Sequence, residues 1–94
     1  MFIYGTVTIT KGFQVWKDMV DSSKKEMEKV GIKMLFAATE ASDDTQLHII
    51  MEVESMEIAK QISTDPEVIE RRRSAGVLVE TTKMVPLSQP RIDI

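Results

Sequence analysis

The sequence predicts an α+β sandwich: one four-stranded antiparallel sheet with helices packed on a single face. Three observations lead there. Residues 46–53 read QLHIIMEV, with Leu47, Ile49, Met51 and Val53 forming one apolar face and His48, Ile50 and Glu52 a mixed one. Such a strand belongs in the middle of a sheet. Strand-like and helix-like periodicities follow one another in the order β-α-β-β-α-β. The order is also a repeat, because Gly31-Ile32 recurs as Gly76-Val77, each glycine standing where a helix turns back into a strand.

Residues 2–10, FIYGTVTIT, are rich in β-branched and aromatic side chains and predict the first strand. Ile3, Val7 and Ile9 form its apolar face, Tyr4, Thr6 and Thr8 its mixed face, and Gly5 marks a bulge or a close approach by another element. Phe13, Trp16, Val20, Met27 and Val30 then recur at helical spacing, which predicts one amphipathic helix over 12–30. Its outer face is charged, with Asp21–Lys25 an expected i,i+4 pair. Residues 32–40 predict the second strand, and the polar turn Ser42-Asp43-Asp44-Thr45 joins it to the central strand as a hairpin. Ser55 caps a helix running through Met56, Ile58, Ala59 and Ile62, and Asp65-Pro66-Glu67 starts another. Residues 77–85 form the last strand.

Right-handed crossovers in both halves give the strand order 4-1-3-2, a ferredoxin-like βαββαβ sandwich over residues 1–86, with 87–94 as a C-terminal tail. Helices on one side leave the other sheet face bare. Tyr4, Met34, Phe36, Ala38 and Ile50 are expected there, too apolar a set for a solvated surface. The expected partner is a second copy, the two sheets pairing into a homodimeric barrel.

Composition narrows the function. The chain has 94 residues, room for one core only, and a net charge of −3, against the basic footprint of nucleic-acid binding. It has no cysteine, which removes disulfides, thiolate nucleophiles and cysteine metal carriers. No membrane span and no secretory signal are apparent, so a cytoplasmic location is expected. The central strand lacks the aromatics of an RNA-recognition sheet, and no glycine-rich phosphate loop occurs.

His48 is the one histidine, the residue type suited to proton transfer near neutral pH, and it shares its face with Glu52. Near Tyr4 or Thr6 it would act as the base of a cofactor-free deprotonation, or it would be a hydrogen-bonded interface histidine with no catalytic task. Trp16 and Phe13 would line an apolar pocket or simply fill the core. Arg71-Arg72-Arg73 cannot converge on one anion, because successive helical residues diverge by about 100°. A solvated face, with Glu67 and Arg71 paired, is expected for them. The acidic Glu40, Asp43 and Asp44 lack a ligating histidine at a defined spacing, so no metal site is expected.

Met51-Glu52-Val53-Glu54-Ser55-Met56-Glu57-Ile58-Ala59-Lys60 and Thr64-Asp65-Pro66-Glu67-Val68-Ile69-Glu70, with Trp16 on the first helix, resemble the small dimeric α/β-barrel proteins of the antibiotic-biosynthesis-monooxygenase-like group. The resemblance spans nearly the whole chain and implies a homodimer with a cleft for a small hydrophobic ligand. It also implies cofactor-free oxygenation or proton transfer on an aromatic compound. The asparagine, tryptophan and histidine that the group's oxygenases set around substrate are not matched. This chain has no asparagine, its single tryptophan is on the first helix, and His48 is on a strand. The expected site is therefore His48 as base, with Tyr4, Thr6, Trp16, Phe36 and Glu52 around the ligand and no cofactor. The alternative is a ligand-sensing or assembly module without catalysis.

Overall fold

The computed structural model of the chain describes residues 1–88. Four strands, β1 (Phe2–Ile9), β2 (Lys33–Glu40), β3 (Asp43–Glu52) and β4 (Val77–Leu87), alternate with paired helices. These are α1 (Phe13–Ser22) and α2 (Lys24–Lys29) between β1 and β2, and α3 (Met56–Thr64) and α4 (Pro66–Ser74) between β3 and β4. The sheet is antiparallel throughout, in the order β2-β3-β1-β4, which is the expected 4-1-3-2 read from the other edge. Of the C-terminal tail, Leu87 closes β4, and residues 89–94 lie outside the described part.

The capping residues sit where the sequence places them. The Ser55 hydroxyl accepts from the Ile58 amide at 3.3 Å, and Asp65 accepts from the Glu67 amide at 2.9 Å with Pro66 in the first turn. Gly31 and Gly76 end their helical segments at φ +77° and +88°, a region that side chains with a Cβ avoid.

One long helix does not form. It breaks at Ser23, whose hydroxyl bonds back to the Met19 carbonyl at 3.0 Å while its amide closes a tight bond to Val20. Such back-bonding competes with the helical ladder and bends it. Two charge pairs also differ from expectation. Asp21 pairs with Lys17 at 2.8 Å, and Arg71 reaches Glu26 at 3.0 Å.

The core lies between helices and sheet in two clusters. Ile3, Ile32, Met51, Val53 and Ala59 form one; Val7, Ile9, Trp16, Leu47 and Val77 form the other. Ile3, Ile9, Leu47 and Val53 are fully buried, each worth about 1.5–3 kcal/mol by area. Gly5 interrupts the helix-facing row of β1 between the clusters, and the Ile49 side chain packs close over it, 3.1 Å from where a Cβ would stand.

A register shift in β2 corrects the expected open face. Met34 pairs with Met51, yet Phe36 pairs with Ile50, so Leu35 is the additional residue of a bulge. The bulge turns Met34 to the helix side, where it packs on both core clusters, and leaves Phe36 and Ala38 opposite. The hairpin turn is also shorter than expected: Glu40 pairs with Asp43, and Asp43–Thr45 belongs to β3.

Candidate functional site

Register alone assembles the site. Phe36, Ile50, Tyr4 and Val85 stand side by side in one row across β2, β3, β1 and β4. The next row reads Ala38, His48, Thr6 and Lys83. Side chains of both rows project from the sheet face that carries no helix. Phe36 and Val85 are about half exposed, at 54% and 50%, an apolar strip open to whatever covers it.

Within the strip, Tyr4 and His48 are diagonal neighbours on paired strands. The Tyr4 hydroxyl lies 2.6 Å from His48 Nδ1, with the rings stacked at 5.9 Å. His48 Nε2 lies 2.8 Å from Glu40 Oε2. The neutral imidazole has one donor and one acceptor nitrogen. An ionised Glu40 can only accept, so Nε2 donates to it, Nδ1 becomes the acceptor, and the Tyr4 hydroxyl donates to Nδ1. The result is a Tyr4–His48–Glu40 chain with every hydrogen bond pointing toward Glu40. The oxygen lone pairs of Tyr4 are left facing outward.

Of the expected site residues, Tyr4, Thr6, Phe36, His48 and Glu52 share this face. Glu52 is exposed at the far end of β3, opposite Phe2, with Ile50 between it and His48. The carboxylate on His48 is that of Glu40, which sequence reasoning weighed only as part of an acidic turn. Its signal was available: in a β2–β3 hairpin that pairs Ala38 with His48, Glu40 follows on the same face. Trp16 stands apart. It is buried on the helix side of the sheet, tilted against Phe13 with ring centroids 5.6 Å apart, and meets Phe36 across an open groove of about 970 Å³ between α1–α2 and β2.

The acidic hairpin makes no cluster. Asp43 accepts from the Thr45 hydroxyl at 2.6 Å and its amide at 3.0 Å, and these two bonds hold its carboxyl below the usual range. Among the described residues, no three of His, Cys, Asp and Glu converge on a point.

A second space lies on the helix side. An apolar cavity of about 270 Å³ opens where Gly5 thins the core, bordered by Trp16 and by residues of α1–α4. Sequence reasoning missed two of its border residues, Arg71 and Arg72, by assigning the whole arginine run to solvent.

Comparison with solved structures gives the same architecture. A candidate antibiotic biosynthesis monooxygenase from Deinococcus radiodurans is 14% identical, with a TM-score of 0.64 over 100% of this chain and 98% of that one. A protein from Agrobacterium tumefaciens is also 14% identical, with a TM-score of 0.61 over 98% and 96%. A candidate antibiotic biosynthesis monooxygenase from Nitrosomonas europaea is 12% identical, with a TM-score of 0.55 over 90% and 94%. At such identities the likeness is one of fold. No curated protein matches the sequence. No helix among the described residues is long and apolar enough to cross a membrane. The match that covers the sequence itself runs from residue 4 to residue 89, so the chain belongs to the family described as domain of unknown function DUF3764.

Proposed function

We propose that the protein is a cytoplasmic homodimer whose paired sheet faces enclose a proton relay acting on an aromatic, enolisable small molecule. The observation that carries this is the oriented Tyr4–His48–Glu40 chain on an apolar face. Both His48 nitrogens are engaged, so Tyr4 Oη is the atom that meets the ligand. The step balances within the relay. The ligand's acidic proton passes to Tyr4 Oη as the phenolic proton passes to His48 Nδ1, and the resulting imidazolium is held against the Glu40 carboxylate. Phe36, Ile50 and Val85 supply the apolar contact for an aromatic ring, with Thr6 beside His48 and Glu52 at the strip's end. Deprotonation yields an enolate, the electron-rich form in which aromatic compounds react with dioxygen, and no resident cofactor takes part in the proton transfer. The fold shared with candidate monooxygenases supports this reading.

A relay of this kind is tested by proton exchange. With 2-tetralone in deuterated buffer, the protein is expected to accelerate exchange at the carbon between ring and carbonyl, followed by NMR. Tyr4→Phe should lower that rate by roughly 10²-fold or more. Equal exchange rates for the parent chain and Tyr4→Phe, both folded, would remove the relay from the account. A second reading, ligand binding without catalysis, draws on the apolar cavity on the opposite side of the sheet.

A further inference from the structure

We propose that the cavity beneath the helices is a binding site for an apolar monocarboxylate, whose carboxylate is held by the guanidinium of Arg72. The site is independent of the Tyr4–His48–Glu40 relay, which lies across the sheet.

Two neighbouring arginines on α4 have different surroundings. Arg71 has a carboxylate partner: its Nη1 donates to the Glu26 carboxylate at 3.0 Å and to the buried Ser23 hydroxyl at 2.8 Å. Arg72 is drawn inward and gives one hydrogen bond, to the Thr82 hydroxyl at 2.7 Å. Among the described residues it has no carboxylate partner. A guanidinium offers five N–H donors in a fork that matches a carboxylate. Burial lowers the pKa of this one from its ordinary value, yet the group remains a cation at neutral pH. Desolvating a cation without an anion beside it is costly, and a bound carboxylate relieves that cost.

The fold builds this position deliberately. β4 departs from regular pairing between Leu78, which faces Thr8, and Lys83, which faces Thr6. Within that irregularity the Thr81 hydroxyl accepts the Thr8 amide at 2.9 Å, replacing a strand partner, and Thr82 is left to meet Arg72.

Beyond Arg72 the space is apolar. Its volume of about 270 Å³ equals roughly nine water-sized groups, which suits a molecule of about that many heavy atoms. Met19, Met27, Met34, Met51 and Met84 all border it, five of the chain's seven methionines. Thioether side chains are pliable and adapt to chains or rings of differing shape. Exposed Glu26 and Asp65 also border the cavity and mark where it meets solvent. With Arg71 neutralised by Glu26, Arg72 is the one uncompensated cation at the cavity. With Glu26 paired to Arg71, a single cation beside the acidic Asp65 selects a monoanion over a phosphate dianion.

Heptanoate, heptan-1-ol and inorganic phosphate separate the contributions of chain and charge. Titrated into the full chain by calorimetry, heptanoate should bind saturably at one site per chain and raise Tm. Heptan-1-ol should bind at least tenfold more weakly, and phosphate should leave Tm unchanged. Arg72→Gln should weaken heptanoate by about tenfold to a hundredfold, as expected for a lost hydrogen bond to a charged group. Arg73→Gln, on the exposed side of α4, should leave it unaltered. Arg72→Lys serves where the glutamine variant fails to fold, and should keep intermediate affinity. Heptanoate bound equally by the parent and a folded Arg72 variant would overturn the proposal. So would no heptanoate binding at millimolar concentration, or heptan-1-ol binding as tightly as heptanoate.

Discussion

With both His48 nitrogens occupied, the phenol of Tyr4 is the group the proposed relay leaves free to meet a ligand. Glu40 therefore matters through orientation. It decides which imidazole nitrogen carries the proton, and so whether Tyr4 donates inward or outward. At the same scale, Gly76 shows how a single backbone position limits the fold. It sits at φ +88°, its carbonyl accepts both the Thr10 amide and the Thr10 hydroxyl at 2.8 Å, and a Cβ there would fall 2.9 Å from the Lys11 amide nitrogen. Gly76→Ala adds both the left-handed penalty and a backbone clash. We expect a loss of about 1–3 kcal/mol of stability, read as a lower urea midpoint with unchanged slope. A midpoint equal to that of the parent chain would mean that this turn relaxes freely.

The β2–β3 hairpin links element to site, because it pairs Ala38 with His48 and brings Glu40, two residues on, within reach of the imidazole. Asp43 anchors the turn through Thr45, and its carboxyl is held below the ordinary 3.8 by the Thr45 hydroxyl first and the Thr45 amide second. The native carboxyl is more acidic than the unfolded one, so its contribution is present above the unfolded pKa and lost as pH falls through the native value. Thr45→Val removes the larger cause and should move the Asp43 titration up toward 3.8. The acid limb of Tm between about pH 5 and pH 2 should then be shallower than in the parent chain. Carbon-detected NMR of the Asp43 carboxyl checks it, and an unmoved titration would assign the shift elsewhere. Periodicity revealed strand order, caps and helix faces, because burial on one side of an element leaves a repeat in the sequence. What it could not reveal depends on irregularity. The bulge at Leu35 moved Met34 across the sheet, and Ser23 broke a helix whose apolar spacing was continuous. Arg72 was hidden differently: nothing in a run of three arginines says which one faces inward.

For the molecule as a whole, the decisive feature is a sheet with one dressed face and one bare one. Four strands at about 4.8 Å spacing and eight residues at about 3.3 Å each make a face of roughly 19 by 26 Å. That is of the order a standard interface buries per partner once side-chain relief is included. Its layout suits self-association: the apolar row of Phe36, Ile50, Tyr4 and Val85 lies in the middle. Glu52 lies toward one end, and Lys83 toward the other. A two-fold axis through the apolar row would set the Glu52 end of one copy over the Lys83 end of the other, an isologous contact. Ile50→Asp places a charge at the centre of that row, where desolvation makes it costly. By light scattering on a sizing column, the parent chain should show twice its 10.6 kDa. Ile50→Asp should dissociate at concentrations at least tenfold higher than the parent, or run as single chains. Lys25→Asp, on the exposed outer surface of α2, should stay paired. The parent Tm should also rise with protein concentration, because the paired state binds its own partner only when folded. A parent chain that stays at 10.6 kDa at about 100 µM, with a Tm independent of concentration, would leave the apolar strip wet and the relay open to bulk water.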